Sequence, residues 1–373
     1  MMSALSSQPS KPLQMLHLTL LKLPFSREMN RILRQTSIRA AAAVLIFSAG
    51  VFSFGCTQKD PAKRTLASLT KVSDGIYIID CYSDYKVDEY LKAGITNVQD
   101  YDIWMTENLT NGVPTGDIPD TGCSSFTVSD PQGDHLFGRN YDSSNGDALI
   151  IRTMPQDGYA SIGIADLKHV NLGVGGDYDI NDSNSQSLLF AAPWCICDGI
   201  NEKGLGTSLL ELSNKHVVND TSKDDLLLYS AIRVILDKCA TVEEAVTLLG
   251  NYDMYSPRSN SYHIFITDKS GRSVTAEWTD EGEMVITDDN AVTNYPLYPA
   301  DPYQDYDHRC AKIHRRIDDV SSMNVNEAMG VLEAVNQDTR WSAVYDLEKF
   351  TVDVCFSGDY SNVYSYSGVT GNH

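Results

Sequence analysis

Two short stretches joined by a turn constrain this chain more than any other part of its sequence. Gly122-Cys123-Ser124-Ser125-Phe126 begins one predicted strand, and Gly138-Arg139-Asn140-Tyr141-Asp142 ends the next. Asp130-Pro131-Gln132-Gly133-Asp134, which lies between them, is typical of a hairpin turn. The sequence therefore predicts two antiparallel strands that bring a thiol, a guanidinium and a carboxylate to the same end.

The facing residues of this hairpin follow from its centre. A symmetric hairpin would be centred between Gln132 and Gly133, so that Asp142 would lie across from Cys123. Arg139 is three residues from Asp142 and by strict alternation would face the other side of the sheet. We therefore expect a bulge, or an early end of the strand, that brings Arg139 to the thiol.

Cys123 has the surroundings of a nucleophile. A free thiol has a pKa of about 8.5 and needs a base and an oxyanion site to attack an amide. His135 lies toward the turn, and the other histidines have no recognisable Cys–His context. Cleavage of the Gly122–Cys123 bond would supply a base, because the new α-amino group would have a pKa of about 7.7–8.0. The alternative for Cys123 is a buried structural thiol.

Five stretches between Gly122 and Leu347 carry a family resemblance. They are Gly122 to Phe126, Leu136 to Asp142, Asp198 to Leu205, Val292 to Pro296, and Thr339 to Leu347. This pattern resembles the choloylglycine hydrolase, or linear amide C–N hydrolase, family of N-terminal-nucleophile (Ntn) hydrolases. Bile salt hydrolases and penicillin V acylases belong to that family, and isopenicillin N acyltransferase and acid ceramidase are relatives.

The resemblance implies a role for each matched residue. Cys123 would be the nucleophile and its freed amine the base, while Arg139 would favour the thiolate. Asp142 would hold the amine. Asn294 would donate its side-chain amide to the oxyanion, and Arg309 is the best match to the family's second arginine.

Three alternatives concern these matched residues. Glu211 falls where bile salt hydrolases have an asparagine and penicillin V acylases a tyrosine, so this oxyanion or pocket position departs from both. A structural ion pair is the alternative for Arg139 and Asp142. For Asn294 the alternative is a cap on the turn before Pro296.

The remaining pattern predicts an α+β fold, a sandwich with helices outside two sheets. The resemblance implies the four-layer αββα sandwich of Ntn hydrolases, with two antiparallel sheets. Thr241-Val242-Glu243-Glu244 predicts a capping box that opens a helix. Among the individual elements we expect a strand over Leu188 to Cys197 and a helix over Asp224 to Lys238.

The first 56 residues are typical of a targeting segment. Arg31, Arg34 and Arg39 precede an apolar run from Ala40 to Phe54, which ends at Gly55-Cys56. This junction resembles a bacterial lipobox, which predicts export and lipidation at Cys56. The alternative is an ordinary cleaved signal, and a start at Met29 would make the preceding residues an extension. We therefore divide the chain into residues 1–56, a propeptide-like segment 57–122 and an Ntn domain 123–373.

Net charge and cysteine spacing limit the kinds of molecule that we expect this protein to bind. The net charge of −21 disfavours nucleic acid, because the phosphate backbone would be repelled. Cys195-Ile196-Cys197 has no second pair at zinc-like spacing, so no metal is expected, and no organic cofactor is implied. The expected partner is a small-molecule amide, with membrane contact only through a lipid anchor. Pairing of the six other cysteines and homo-oligomer formation stay open.

The sequence thus predicts an exported, self-processing enzyme that cleaves a linear amide through a thioester at Cys123. One alternative is an N-acyltransferase of the isopenicillin N acyltransferase type that uses the same site. Another is a non-enzymatic surface lipoprotein that keeps the fold for ligand binding.

Overall fold

The structure is a computed structural model that describes residues 60–116, 118, 122–143, 145–212, 216–257, 261–279, 281–298 and 308–370. The described residues belong to one compact unit. The predicted signal and Cys56 lie outside them. Within these ranges, no helix has the length and the apolar composition needed to cross a membrane.

Helices and strands alternate along the described chain. The helices are α1 (Pro61–Ala67), α2 (Val87–Ala93), α3 (Val98–Asn108), α4 (Ala231–Lys238), α5 (Val242–Leu249), α6 (His308–Ile317) and α7 (Val325–Ala334). The strands are β1 (Thr70–Ser73), β2 (Ile76–Cys81), β3 (Gly122–Ser129), β4 (His135–Asp142), β5 (Ala148–Thr153), β6 (Ser161–Asp166), β7 (Ile196–Asn201), β8 (Leu205–Leu212), β9 (Asp224–Leu227), β10 (Tyr252–Tyr255), β11 (Ser261–Asp268), β12 (Ser273–Trp278), β13 (Met284–Asp288), β14 (Ala291–Thr293), β15 (Thr339–Asp346), β16 (Thr351–Phe356) and β17 (Tyr364–Ser367).

Two main sheets face each other. One has the order β1-β2-β5-β6-β7-β8-β11-β12-β13, and the other has the order β14-β3-β4-β15-β16-β17. Phe137, Phe265 and Tyr345 belong to the apolar core between them. Helices α4 and α5 cover the outer face of the first sheet, and α6 and α7 cover that of the second. The predicted four-layer αββα sandwich is confirmed, with a parallel β2–β5 pair that the sequence did not predict.

The segment ahead of Cys123 is built into this sandwich. Strand β2 is buried along its whole length and pairs in register with β5, from Ile76↔Ala148 to Cys81↔Thr153. Asp80 forms a buried ion pair with Arg152, with 2.6 Å between Oδ1 and Nε. This segment therefore contributes an internal strand of the nine-stranded sheet.

The register of the β3–β4 hairpin differs by one residue from the symmetric expectation. Cys123 lies across from Tyr141, and Gly122 lies across from Asp142. The loop has five residues, so its centre is Gln132 rather than the bond after it. Arg139 consequently shares the face of Cys123, and the expected bulge in β4 was wrong. A bulge does occur in the neighbouring strand β15, between Thr339 and Trp341.

Two element predictions were also wrong. In the strand predicted over Leu188 to Cys197, the residues up to Cys195 lie in or between 3-10 turns (Gln186–Phe190 and Ala192–Cys195), and only Ile196 and Cys197 belong to a strand, β7. A short apolar run does not by itself distinguish these conformations. In the predicted helix over Asp224 to Lys238, the first four residues pair as a parallel strand with β10, and the helix begins at Ala231. Tertiary pairing overrides the helical pattern there.

The sequence left open whether the cysteines form disulfides, and the described residues answer this question. The seven cysteines in these ranges are all buried, and none of them forms a disulfide. They are therefore packed thiols.

Asn201 ties the β7–β8 turn to the helix layer. Its Nδ2 donates to the carbonyl oxygens of Leu236 at 2.9 Å and Cys239 at 2.8 Å. Its Oδ1 accepts from the backbone N–H groups of Lys203 at 3.1 Å and Leu205 at 3.2 Å. The side chain is fully buried, so these four bonds have no substitute in water.

We expect Asn201→Ala to lower the free energy of unfolding by about 2–4 kcal/mol, because buried carbonyl and N–H groups lose their partners. Urea unfolding measures this loss. Glu202→Ala, at the exposed neighbouring position, is the control and should stay within about 0.5 kcal/mol of wild type. Equal stability of the two variants would contradict this account of the turn.

Candidate active site

Cys123 lies on β3 between two neighbouring strands, β14 and β4. The β14–β3 register pairs Thr293 with Ser124, which places Asn294 beside Cys123. The backbone N–H of Cys123 donates to Oδ1 of Asn294. Nδ2 of Asn294 in turn donates to the backbone carbonyl of Glu211, at 2.9 Å. The nitrogen that would become the new amine is thus held by a side chain that is itself fixed.

On the amino side of the Gly122–Cys123 bond, Gly122 lies close to the side chain of Asp142. A Cβ atom at this position would lie 3.1 Å from Cβ of Asp142 and 3.2 Å from its Oδ2. Most side chains at position 122 would therefore displace the Asp142 carboxylate. The residue before Cys123 is small because the carboxylate approaches the backbone closely.

Arg139 is a fully buried arginine on the same face of the sheet as Cys123. Its Nε lies 3.3 Å from Oδ2 of Asp198, and its Nη2 donates to the carbonyl of Leu209 at 2.7 Å. Burial would lower the pKa of the guanidinium, but the neighbouring Cys123 and Asp198 raise it above its ordinary value. The group is therefore a fixed positive charge beside the thiol, which favours the thiolate.

The strands of the nine-stranded sheet separate where Arg139 reaches them. Strands β7 and β8 pair from Ile200↔Gly206 to Asp198↔Ser208. Beyond that pair, β7 is irregular against β6, where Ile164 pairs with Asp198 and Ala165 with Ile196. The Leu209 carbonyl accepts from Arg139 at this point.

Asp198 is a functional-site candidate that the sequence analysis did not assign. It is fully buried and accepts from Nε1 of Trp341 at 3.0 Å and from the hydroxyl of Tyr345 at 2.5 Å, in addition to Arg139. Burial raises the pKa of Asp198, and Arg139 and these donors restrain the rise. The signal in the sequence was its place in the Asp198-Gly199-Ile200-Asn201 stretch, but the partner was distant along the chain.

A second charged group lies at the end of the hairpin. Nη1 of Arg309 donates to Oδ2 of Asp142 at 2.6 Å, and its Nη2 donates to Oδ1 of Asn294 at 3.1 Å. The hydroxyl of Thr339 donates to Oδ1 of Asp142 at 2.6 Å. Burial raises the pKa of Asp142, and the donors Thr339 and Arg309 restrain the rise. Asp142, Arg309 and Asn294 are therefore one connected group.

The structure thus brings all five predicted catalytic residues to one end of β3 and β4. Arg139 and Asp142 have different ion-pair partners, Asp198 and Arg309. Glu211 is buried, and its backbone carbonyl accepts from Asn294 of this group.

A small enclosed cavity adjoins Arg139. It has a volume of about 10 Å³, room for about one water molecule, and its lining includes Arg139, Tyr141, His169 and Tyr229. The hydroxyl of Tyr141 lies 3.3 Å from Nε2 of His169, whose Nδ1 lies 2.5 Å from the hydroxyl of Tyr229. Arg139 Nη1 has no hydrogen-bond partner among the described residues. The lining also includes Cys197 and Leu209, so polar and apolar groups both border the cavity next to Arg139.

One carboxylate cluster lies away from this group, in the hairpin loop. Asp130, Asp134 and Asp346 have carboxylate oxygens within 4.8 Å of one another. The ammonium of Lys349 lies within 4.0 Å of all three, at 2.6 Å from Asp346. A lysine already occupies the position from which a cation would neutralise these charges.

The fold and this group of residues agree with the comparisons. The family model of linear amide C–N hydrolases, choloylglycine hydrolase family, matches residues 123–315. That match covers more than half of the chain and begins at Cys123. The chain belongs to the choloylglycine hydrolase family of linear amide C–N hydrolases.

Individual relatives are more distant. The chain is similar to a bile salt hydrolase/transferase of Clostridium perfringens (strain 13 / Type A), with 28% identity over 195 residues, 47% of this chain and 54% of the relative. It therefore spans about half the length of this curated relative.

Two solved structures are also similar, both of variants of the conjugated bile acid hydrolase from Clostridium perfringens. They have TM-scores of 0.50 and 0.51 at 17% identity and cover 66% and 67% of this chain and 92% and 94% of their own. At this identity they establish a shared fold.

We expect Thr339→Val to destabilise the protein more at pH 7 than at pH 4. The hydroxyl stabilises the ionised form of Asp142, so its loss raises the pKa of that carboxyl further. A carboxyl whose pKa is raised on folding costs stability as the pH rises above its unfolded value. Urea unfolding at both pH values should show a loss of about 1.5–3 kcal/mol at pH 7 and a smaller one at pH 4.

Thr207→Val is the matched control. The hydroxyl of Thr207 is also buried but donates to a neutral group, the carbonyl of Phe265, at 3.0 Å. Its loss should cost about 1 kcal/mol at both pH values. A pH-independent cost for Thr339→Val would show that its hydroxyl does not stabilise an ionised Asp142.

Proposed function

We propose that this protein is a self-processing amidase that hydrolyses a linear amide through a thioester at Cys123. The observation that carries the proposal is the placement of Cys123. Its backbone nitrogen is held by Asn294, next to the Asp142–Arg309 pair, and it shares the face of the buried Arg139. Family membership supports the class of reaction.

The first step of the mechanism is the cleavage of Gly122–Cys123. The Cys123 sulfur attacks the carbonyl carbon of Gly122, the C–N bond breaks, and the nitrogen takes a proton to become the α-amine. Water then hydrolyses the thioester, which leaves a carboxylate on Gly122. Asn294 already holds this nitrogen, and Asp142 lies beside Gly122 and stabilises the ammonium form.

In the second step the processed site acts on an external amide. The α-amine of Cys123 takes the thiol proton, the sulfur attacks the substrate carbonyl, and the ammonium returns the proton to the leaving amine. Water then hydrolyses the thioester. Arg139 favours the thiolate. Asn294 lies beside Cys123 and its Nδ2 is fixed by the Glu211 carbonyl, and we assign the amide of Asn294 to the oxyanion on the family resemblance.

Conjugated bile acids are a reasonable first substrate class to test, because the similar proteins are named for bile salts and conjugated bile acids. Penicillin V and simple N-acyl amino acids belong in the same assay, because Glu211 departs from the residue expected at its position.

N-acyl transfer is the second candidate activity, supported by the word transferase in the name of the curated relative. Product analysis with and without a competing amine separates the two activities. A new amide indicates transfer, and a free acid alone indicates hydrolysis.

We expect purified wild type to yield a polypeptide that begins at Cys123, and Cys123→Ala to remain uncut, because the sulfur is the attacking atom. Denaturing intact-mass measurement gives the result directly. Wild type should also release free acid from at least one amide of the panel, and Cys123→Ala from none. A wild type that is uncut and inactive toward the panel would overturn the proposal and favour a ligand-binding role.

The same sample reports two further parts of the proposal. We propose that the segment before Cys123 stays bound after cleavage, supported by the burial of β2 and the Asp80–Arg152 pair. A native mass should then contain both polypeptides. Export and lipidation at Cys56 are proposed from the sequence alone, and a diacylglycerol mass on a chain beginning at Cys56 would support them.

We expect Arg139→Met to lower kcat/KM by about 10²-fold or more, because the thiol loses its only adjacent fixed positive charge on β4. Steady-state kinetics on the best substrate of the panel give this ratio. Arg152→Met is the matched control, since Arg152 is equally buried and paired with an aspartate in the other sheet. It should lose stability yet keep near-normal kcat/KM per folded molecule. Similar losses in both variants would argue against a role for Arg139 in the reaction.

A further inference from the structure

The guanidinium of Arg139 has three nitrogens with different surroundings. Nε faces the Asp198 carboxylate, and Nη2 donates to the Leu209 carbonyl. Nη1 is buried and has no hydrogen-bond partner among the described residues. A buried N–H donor without a partner costs about 1–3 kcal/mol, so an acceptor that reaches it is favoured. The Cys123 thiol, which raises the pKa of this guanidinium, is its neighbour on the same face of the sheet.

The space beside the Arg139 guanidinium is small. The cavity that adjoins Arg139 has a volume of about 10 Å³, about the size needed for one oxygen atom with its hydrogens. Tyr141, which lies across from Cys123 in the hairpin, is part of its wall, as are Tyr229 and Tyr262. The cavity therefore leaves an oxygen-sized space next to Arg139, which shares the face of Cys123 in the sheet.

Asp198 determines which nitrogen of the Arg139 guanidinium is left without a hydrogen-bond acceptor. Its Oδ2 faces Nε of Arg139 and also accepts from Trp341, while its Oδ1 accepts from the Tyr345 hydroxyl. These donors come from β15, so the carboxylate is held between the two sheets. With Nε and Nη2 both engaged, the planar guanidinium cannot turn, and Nη1 keeps its direction.

We propose that Asp198 is a positioning residue that holds Arg139 so that Nη1 donates to the carbonyl oxygen of the acyl group while that oxygen carries negative charge. This inference rests on the proposed amidase function. It adds a charged oxyanion donor to the amide of Asn294. The bond is made in the tetrahedral state formed when the Cys123 sulfur adds to the carbonyl carbon, and it weakens when the thioester forms.

The test is a double-mutant cycle of Asp198→Asn and Arg139→Met. We expect Asp198→Asn alone to lower kcat by about 10–10²-fold with KM changed less than about twofold, because the affected bond forms only in the transition state. If Asp198 acts through Arg139, adding Asp198→Asn to Arg139→Met should cause no further loss of kcat. Losses that multiply in the double variant would overturn the inference.

Asp80→Asn is the matched control, since Asp80 is also a buried aspartate paired with an arginine. It should lower stability and leave kcat per folded molecule unchanged, alone and with Arg139→Met. If Asp80→Asn lowers kcat as much as Asp198→Asn, the effect is general destabilisation and the inference fails.

A second variant tests the same inference if Asp198→Asn does not fold. Tyr345→Phe removes one donor to Asp198 and keeps the Arg139 pair. A smaller loss of kcat is expected, again with no further loss in the Arg139→Met background. An inactive wild type would overturn the proposed function itself, whereas an active wild type with multiplicative losses would overturn only the role of Asp198.

Discussion

The buried ion pair between Arg139 and Asp198 joins the two sheets directly behind Cys123. Removing an arginine from water costs several kcal/mol unless its partners are in place, and here they are a carboxylate and the Leu209 carbonyl. That carbonyl accepts from Arg139 where β7 and β8 separate. The packing of the sandwich and the charge beside the thiol are therefore one structural feature, because neither sheet can shift without leaving a buried charge uncompensated.

Two charged groups lie on opposite faces of the six-stranded sheet, and strand alternation keeps them apart. Arg139 and the thiol of Cys123 face the nine-stranded sheet, whereas Asp142 is one residue out of phase and pairs with Arg309 from the helix layer. The backbone nitrogen of Cys123 lies between them. On the proposed mechanism, Arg139 stabilises the sulfur anion from one face of the sheet and Asp142 stabilises the ammonium from the other.

Local sequence patterns predicted much of the site. Contacts between residues that are far apart in the sequence could not be predicted in this way. Cys123, Arg139 and Asp142 were found because they share one hairpin. Which residues lie across from one another was wrong by one position, because the loop has an odd number of residues and the prediction centred it on a bond. The N-cap predicted at Thr241 was confirmed, because its hydrogen bond from the Glu244 N–H is local, but the Glu244 carboxylate accepts from the Ala240 N–H and so does not complete the capping box. Asp198 had no assigned partner, since Arg139 is 59 residues away in the chain. The strand predicted over Leu188 to Cys197 was wrong up to Cys195, because apolar composition alone does not distinguish a strand from 3-10 turns.

The uncut chain explains why processing and catalysis would share one site. Gly122 continues β3 into the hairpin register, next to the Asp142 carboxylate, and the Cys123 N–H already donates to Asn294. Asn294 and Asp142 are both held by Arg309. On the proposed mechanism, cleavage then converts an amide nitrogen, which is a poor base, into an amine that can accept the thiol proton. The surrounding groups need not move, because they are fixed by the sheets and by the helix that carries Arg309.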